Sequence, residues 1–223
     1  MDNIASCIDH TLLDPSAPFG RYTELCREAI KYKFKSVCVN PFFVPLINKL
    51  LEVHPKIGIA SVISFPFGLE NILSKCEEIN NVIAHGATEL DIVANLSSIK
   101  SGDFKRFEDE IRAIREVSEG HTLKVILEVG LLTDDEIKHS VDICCQHYVS
   151  FVKTSTGYLA KLTPQETARY VKLMVDCTKD SITKVKASGG IKTLDDLNLM
   201  IEAGATRIGT SSGVKIMEEF NAR

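Results

Sequence analysis

Two lysines stand where lysine is least at home. Lys153 closes the run Ser150-Phe-Val-Lys and Lys186 closes Thr183-Lys-Val-Lys, each at the end of a short apolar, β-branched stretch. One lysine at such a place snorkels to solvent or pairs with a carboxylate. Two on neighbouring strands suggest chemistry, because strands lie about 5 Å apart and unit charges at that distance repel by roughly 3 kcal/mol at an effective dielectric of 20. One of the two then sheds its proton more readily. A free lysine, with its ordinary value near 10.4, is neutral only about once in 2,500 molecules at pH 7. The neutral amine is the form that attacks a carbonyl, so the pair points to Schiff-base chemistry.

Other apolar runs also end in polar side chains: Asp9 and Thr11, Cys38 and Asn40, Ser64, Asp91 and Asn95, and Glu128. Two glycine-rich stretches follow the last two runs, Lys186-Ala-Ser-Gly-Gly-Ile191 and Gly204 to Gly213. Gly189 and Gly190 let backbone N–H groups approach a ligand, and Gly209, Ser211 and Ser212 stand where a helix starts, so its amides and dipole favour an anion. Tight turns and close packing would account for either stretch alone. The two together imply a phosphorylated substrate.

The elements that must position these groups follow from periodicity. Strands are predicted over Cys7 to His10, Ser36 to Val39, Gly58 to Ile63, Glu89 to Val93, Leu123 to Leu127, Phe151 to Lys153, Thr183 to Lys186 and Arg207 to Gly209. Helical patterns fill the intervals: Phe19 to Lys33, Phe43 to Glu52, Glu70 to His85, Phe104 to Ser118, Asp134 to His147, Pro164 to Lys179, Thr193 to Ala203 and Ser212 to Phe220. Thr133 to Glu136 and Thr163 to Glu166 read as capping boxes, the second with Pro164 at the first helical position. Strands as apolar as Val125-Ile-Leu127 belong to a parallel sheet covered on both faces. Eight βα units predict an α/β fold, a (β/α)8 TIM barrel, as one domain over residues 1–223, with its site at the C-terminal strand ends. The alternative is a doubly wound open sheet, but no Gly-x-Gly-x-x-Gly follows the first strand.

The balance of 26 Lys plus Arg against 30 Asp plus Glu gives a net charge of −4, which argues against a nucleic-acid partner. With 25% charged and 44% hydrophobic residues the chain has globular composition. No apolar run is long enough for a membrane span, and no leader precedes the first strand, so a cytoplasmic protein is expected. The seven cysteines are scattered without Cys-x-x-Cys spacing, and the six histidines form no metal-binding pattern. No metal or other cofactor is expected.

The segments Asp9-His-Thr-Leu-Leu13, Val37-Cys-Val-Asn-Pro41, Ser64-Phe-Pro-Phe-Gly68, Gly86 to Asn95, Leu127-Glu-Val-Gly130, Phe151-Val-Lys-Thr-Ser-Thr-Gly157, Val185-Lys-Ala-Ser-Gly-Gly-Ile191 and Gly204 to Gly213 resemble, in order, those of the deoxyribose-phosphate aldolases. The resemblance implies a metal-independent class I aldolase that cleaves 2-deoxy-D-ribose 5-phosphate reversibly to D-glyceraldehyde 3-phosphate and acetaldehyde, in the catabolism of deoxynucleosides. It makes Lys153 the imine-forming residue and Lys186 the cation that eases loss of its proton. Asp91 becomes the group that moves protons, and Asp9 the anchor that keeps Lys186 charged. Thr11 and Cys38 match positions lining the pocket. Thr154, Gly157, Ser188, Gly189, Gly190, Gly209, Ser211 and Ser212 are the further substrate-binding candidates.

Three positions depart from the family pattern. Tyr158 replaces a lysine found after the Thr-Ser-Thr-Gly segment in some members, Lys192 replaces an arginine, and Asp14 stands where a lysine is common. Phosphate binding is then expected to rest more on backbone donors. Some members also carry a C-terminal tyrosine as a proton shuttle, and Phe220-Asn-Ala-Arg223 has none, so proton exchange at the enamine carbon is expected to be slower or take another route. Two alternatives remain: a Schiff-base lyase for another phosphorylated substrate, or a phosphosugar-binding barrel without catalysis. A homodimer is expected, with Phe42 to Leu51 as one candidate surface.

Overall fold

Runs of Val, Ile and Leu buried on both faces can be satisfied only inside a sheet whose two sides are both covered. The computed structural model, which describes residues 4–223, arranges them as Ile8–Leu12 (β1), Ser36–Val39 (β2), Gly58–Ile63 (β3), Glu89–Val93 (β4), Thr122–Ile126 (β5), Phe151–Lys153 (β6), Lys184–Ser188 (β7) and Arg207–Thr210 (β8). Each strand pairs in parallel with the next, and β8 returns to β1, closing a barrel in sequence order. The TIM-barrel expectation holds.

Around it, among the described residues, lie Phe19–Tyr32 (α1), Val44–Leu51 (α2), Ile72–Ala84 (α3), Leu96–Lys100 (α4), Phe104–Val117 (α5), Asp134–Gln146 (α6), Pro164–Thr178 (α7), Leu194–Glu202 (α8) and Gly213–Asn221 (α9). Both expected capping boxes are present, and Thr193 with Asp196 forms a third. Helix α4 was not expected; five residues are too few for a periodic signal, and Asn95 starts it by accepting the Ser98 N–H. Strands β1 and β7 run two residues further than predicted, because Thr11, Leu12, Ala187 and Ser188 still find ladder partners on β2 and β8.

Two apolar regions hold the fold. A large one lies between the strands and the helices, with Val37, Ile63, Leu90 and Val125 facing Ile47, Ile79, Phe107 and Val141. A small one sits inside the barrel, made of Leu13, Cys38, Ala60 and Val62 with Phe65 against them. Beside it the lumen carries buried charged side chains, among them Asp9, Glu89, Asp91, Lys124, Lys153, Lys186 and Arg207.

Candidate active site

The period of two along a strand puts Glu89 and Asp91 on one face of β4. The register puts Asp91 opposite Lys124 on β5, Lys153 opposite Lys186, and Lys186 opposite Arg207. These side chains meet in the lumen. Asp91 Oδ2 accepts from Lys153 Nζ and from Lys186 Nζ, both at 2.7 Å, while Oδ1 accepts from Lys124 Nζ at 2.6 Å. Lys186 also donates to Asp9 Oδ2. Arg207 donates to Asp9 Oδ1 at 2.7 Å and to Glu89 Oε2 at 2.9 Å, and Lys124 lies 2.7 Å from Glu89. All seven groups are buried, Lys153 at 4% exposure and Lys186 at none.

Neighbouring charges decide the protonation states. Burial alone would push the Asp91 carboxyl up, but Lys124, Lys153 and Lys186 outweigh it and hold it well below the usual carboxylate range. Asp9 is likewise held low by Lys186, Lys124 and Arg207 against burial. Burial would strip the proton from Lys186, yet Asp9 and Asp91 raise its affinity above the ordinary lysine value. Lys124 is raised in the same way, chiefly by Asp91 and Glu89. Lys153 and Lys186 are indeed adjacent, but Asp91 sits on both ammonium groups, so the bare repulsion expected from adjacency is largely offset.

Above these groups opens a cleft of ≈ 280 Å³ at the C-terminal ends of the strands. Of the expected residues, Thr11, Lys153, Gly157, Ser188, Gly189, Gly190, Gly209 and Ser211 line it. Asp9, Asp91 and Lys186 lie beneath. Cys38 does not line the cleft: it is fully buried in the small lumen cluster, and burial followed by the nearby Asp91 pushes its thiol up to about 11. Thr154 is a strut, its hydroxyl donating to Ser188 O at 3.0 Å and accepting the Ser188 N–H at 2.9 Å. Ser212 stands outside the cleft lining, and its N–H is taken by Thr210 Oγ1 at 2.9 Å.

Gly209 is required by space. A Cβ there would lie 3.0 Å from Lys186 Cε and 3.2 Å from Ser188 Cβ, inside ordinary carbon contact. Gly189 and Gly190 carry φ of 90° and 76°, the left-handed backbone that glycine adopts without strain. At the mouth, the Tyr158 hydroxyl donates to Leu13 O at 3.0 Å, and its ring meets Phe65 edge-on at 5.3 Å, tying the loop after β6 to the loops after β1 and β3. Lys192 and Asp14 line the same mouth. Asp14 accepts from the Ser16 side chain and backbone, which hold its carboxyl below its usual value.

Strand-end reasoning missed Lys124, Glu89 and Arg207. The signal was present: Lys124 interrupts the apolar run Leu123-Lys-Val-Ile126, and a charge in mid-strand of a parallel sheet must find a partner. Glu128, by contrast, turns away into the loop after β5, with φ of 50° and Oε2 accepting the Thr156 N–H at 2.9 Å. His10, the one histidine beside a strand top, pairs with Glu28 at 2.7 Å. Among the described residues no group of three His, Cys, Asp or Glu side chains is suited to a metal ion, and no helix is long and apolar enough to cross a membrane.

An amine facing a cleft, with a carboxylate at 2.7 Å and glycine loops opposite, can add to a carbonyl and exchange protons beside a bound anion. Comparison with known proteins agrees. The chain is 44% identical over 211 residues to a deoxyribose-phosphate aldolase of Finegoldia magna, covering 95% of this chain and 97% of that one. It is 42% identical over 220 residues to deoxyribose-phosphate aldolase 2 of Staphylococcus aureus, covering 99% and 98%. A tetrameric deoxyribose phosphate aldolase of Aeropyrum pernix superposes with a TM-score of 0.89 at 36% identity, covering 98% of this chain and 91% of that one. The family model described as DeoC/LacD family aldolase matches residues 4–219, almost the whole length, and the chain therefore belongs to the DeoC/LacD family of aldolases.

Proposed function

We propose that this protein is a class I aldolase that cleaves 2-deoxy-D-ribose 5-phosphate reversibly to D-glyceraldehyde 3-phosphate and acetaldehyde. The observation that carries the reading is the Lys153 amine, at the floor of the cleft and 2.7 Å from Asp91, with Lys186 on the same carboxylate oxygen. Lys153, as the free amine, adds to the open-chain aldehyde to give a carbinolamine, and loss of water leaves the iminium. The iminium draws the electron pair of the C2–C3 bond towards nitrogen as the 3-hydroxyl gives up its proton, releasing glyceraldehyde 3-phosphate and an enamine. Protonation of the enamine carbon and hydrolysis of the imine free acetaldehyde. Asp91 touches the reacting amine and is placed to pass protons; Lys186, held charged by Asp9 and Asp91, holds Asp91 ionised.

No metal or organic cofactor enters these steps. The phosphate is read as lying between the Gly189–Gly190 turn and the Gly209 to Ser211 segment, with Lys192 supplying the charge at the mouth. Exposed Phe19 and Phe42, ring centroids 6.3 Å apart, support pairing of copies through this face. Seven free thiols fit a cytoplasmic setting. The test is to incubate the protein with acetaldehyde, reduce with borohydride, and map the ethyl adduct by mass spectrometry. An adduct on Lys153 that is absent from folded Lys153→Ala, with deoxyribose 5-phosphate cleaved only by the parent, is the expected result. No adduct in folded parent protein refutes the reading and favours a phosphosugar-binding role.

A further inference from the structure

The buried charges form a closed circuit. From Asp91 it passes to Lys186, Asp9, Arg207, Glu89 and Lys124, and returns to Asp91, alternating in sign with every link a contact of 2.9 Å or less. Three carboxylates and three cations sum to zero. Lys153 hangs on this circuit at Asp91 as a seventh, unmatched charge. Resting on the reading of Lys153 as nucleophile, we propose that the circuit singles out Lys153 as the one lumen cation that can lose its charge with the circuit still closed, and that Glu89 and Arg207 are positioning residues that set the lumen charge from the far side.

An uncompensated charge out of water is costly, whereas a paired set is tolerated. Lys124, Lys186 and Arg207 each bridge carboxylates, so loss of charge at any of them opens the circuit, whereas Lys153 pairs with Asp91 alone among the described residues and its loss of charge leaves every link in place. The same sum bears on bond breaking. The iminium restores the unmatched positive charge, and cleavage removes it, because the C2–C3 electron pair passes to nitrogen and the hydroxyl proton leaves, giving a neutral enamine. The groups facing Lys153 from the surrounding strands are Asp9 on β1, Glu89 and Asp91 on β4, Lys124 on β5, Lys186 on β7 and Arg207 on β8. The Cys38 thiol on β2 is kept neutral by burial. Lys192, Asp14 and Tyr158 stand at the open mouth, where solvent screens them.

The test is the pH dependence of acetaldehyde imine formation, trapped with borohydride, in the full chain and in Arg207→Gln, Glu89→Gln, their double variant and Arg207→Lys. Arg207 lies two strands from Lys153, a separation on the order of 10 Å, at which a unit charge moves a titration by about one pH unit at an effective dielectric near 20. Arg207→Gln makes the lumen more negative, so its profile moves alkaline by about one unit, and Glu89→Gln moves it acid by a similar amount. The double variant restores the sum and returns to within about 0.3 unit of the parent, as does Arg207→Lys. If a single variant fails to fold by circular dichroism, the double variant and Arg207→Lys still decide: a shift of about one unit in both overturns the proposal. It is overturned equally if both single variants form imine with the parent profile or move in the same direction. No imine in the parent at any pH is a separate result, which refutes the Schiff-base reading and the role of the circuit with it.

Discussion

Gly209→Ala is a one-carbon change that acts on Lys186. The new Cβ would lie 3.0 Å from Lys186 Cε, 3.2 Å from Ser188 Cβ and 3.7 Å from Lys186 Nζ. Carbon atoms prefer about 3.5 to 4.0 Å, so two contacts are too close by roughly 0.3 to 0.5 Å. Gly209 is not among the positive-φ residues, so the backbone accepts alanine and the effect is one of space. The Lys186 stem is fully buried and its amine is held by Asp9 and Asp91, so it can yield only by lengthening those contacts. Overpacking of this kind costs about 1 to 3 kcal/mol, which for a chain of this size lowers the melting midpoint by roughly 2 to 12 °C. A displaced charge in the reacting centre costs about 100-fold in turnover. The assay is cleavage of deoxyribose 5-phosphate coupled to reduction of the released acetaldehyde, read well below the melting midpoint. Gly20→Ala is the comparator: a Cβ at Gly20 in α1 meets nothing within 4 Å, so turnover should hold and stability change by less than about 1 kcal/mol. Turnover of Gly209→Ala within about threefold of the parent, with an unmoved midpoint, would refute the argument.

Lys75→Met should cost about 3 to 5 kcal/mol, because Lys75 Nζ, fully buried, lies 3.0 Å from Glu110 and its loss strands that carboxylate. Thermal melts should recover in part with Lys75→Met/Glu110→Gln, since glutamine still accepts the Asn95 N–H. Tyr158→Phe removes the bond to Leu13 O, worth about 0.5 to 1.5 kcal/mol, and should raise KM by roughly 2- to 10-fold with kcat near the parent value; a fall in kcat alone would count against a loop tie. Acid should unfold the protein through Asp9 and Asp91. Both carboxyls bind protons less readily in the fold than in the unfolded chain, so their stabilisation is complete above the unfolded value near 4 and is lost as pH falls below it. Urea midpoints should therefore be level above about pH 5 and fall below about pH 4, and a flat profile down to about pH 3 would contradict this.

The barrel was legible because its strands carry unbroken apolar runs and its helices start at strong caps such as Thr133 and Thr163. The reacting pair was legible because both lysines end strands, where a barrel opens to its substrate. The other half of the charge network was not, because Lys124, Glu89 and Arg207 lie at mid-strand or at strand beginnings, where barrels carry branched aliphatic side chains. Only the register shows that these positions share a layer with Asp91 and Lys186. Cys38 and Thr154 show a related effect: a residue beside a strand end can face the floor, as Cys38 does, or the neighbouring strand, as Thr154 does, as readily as the cleft.

The lumen charges are also divided along the chain. Asp9, Glu89 and Asp91 all come from β1 to β4, and Lys124, Lys153, Lys186 and Arg207 all come from β5 to β8. Cut between β4 and β5, the molecule would give one half in which the charges of this network are all acidic and another in which they are all basic. Either half docked on a copy of itself would press like charges together in a dry interior, a strong penalty against that pairing. Each half fits only the other. The same residues that serve the reaction thus give the two ends of one chain a reason to find each other rather than their counterparts on another molecule, a form of self-recognition that aliphatic lumen layers cannot provide.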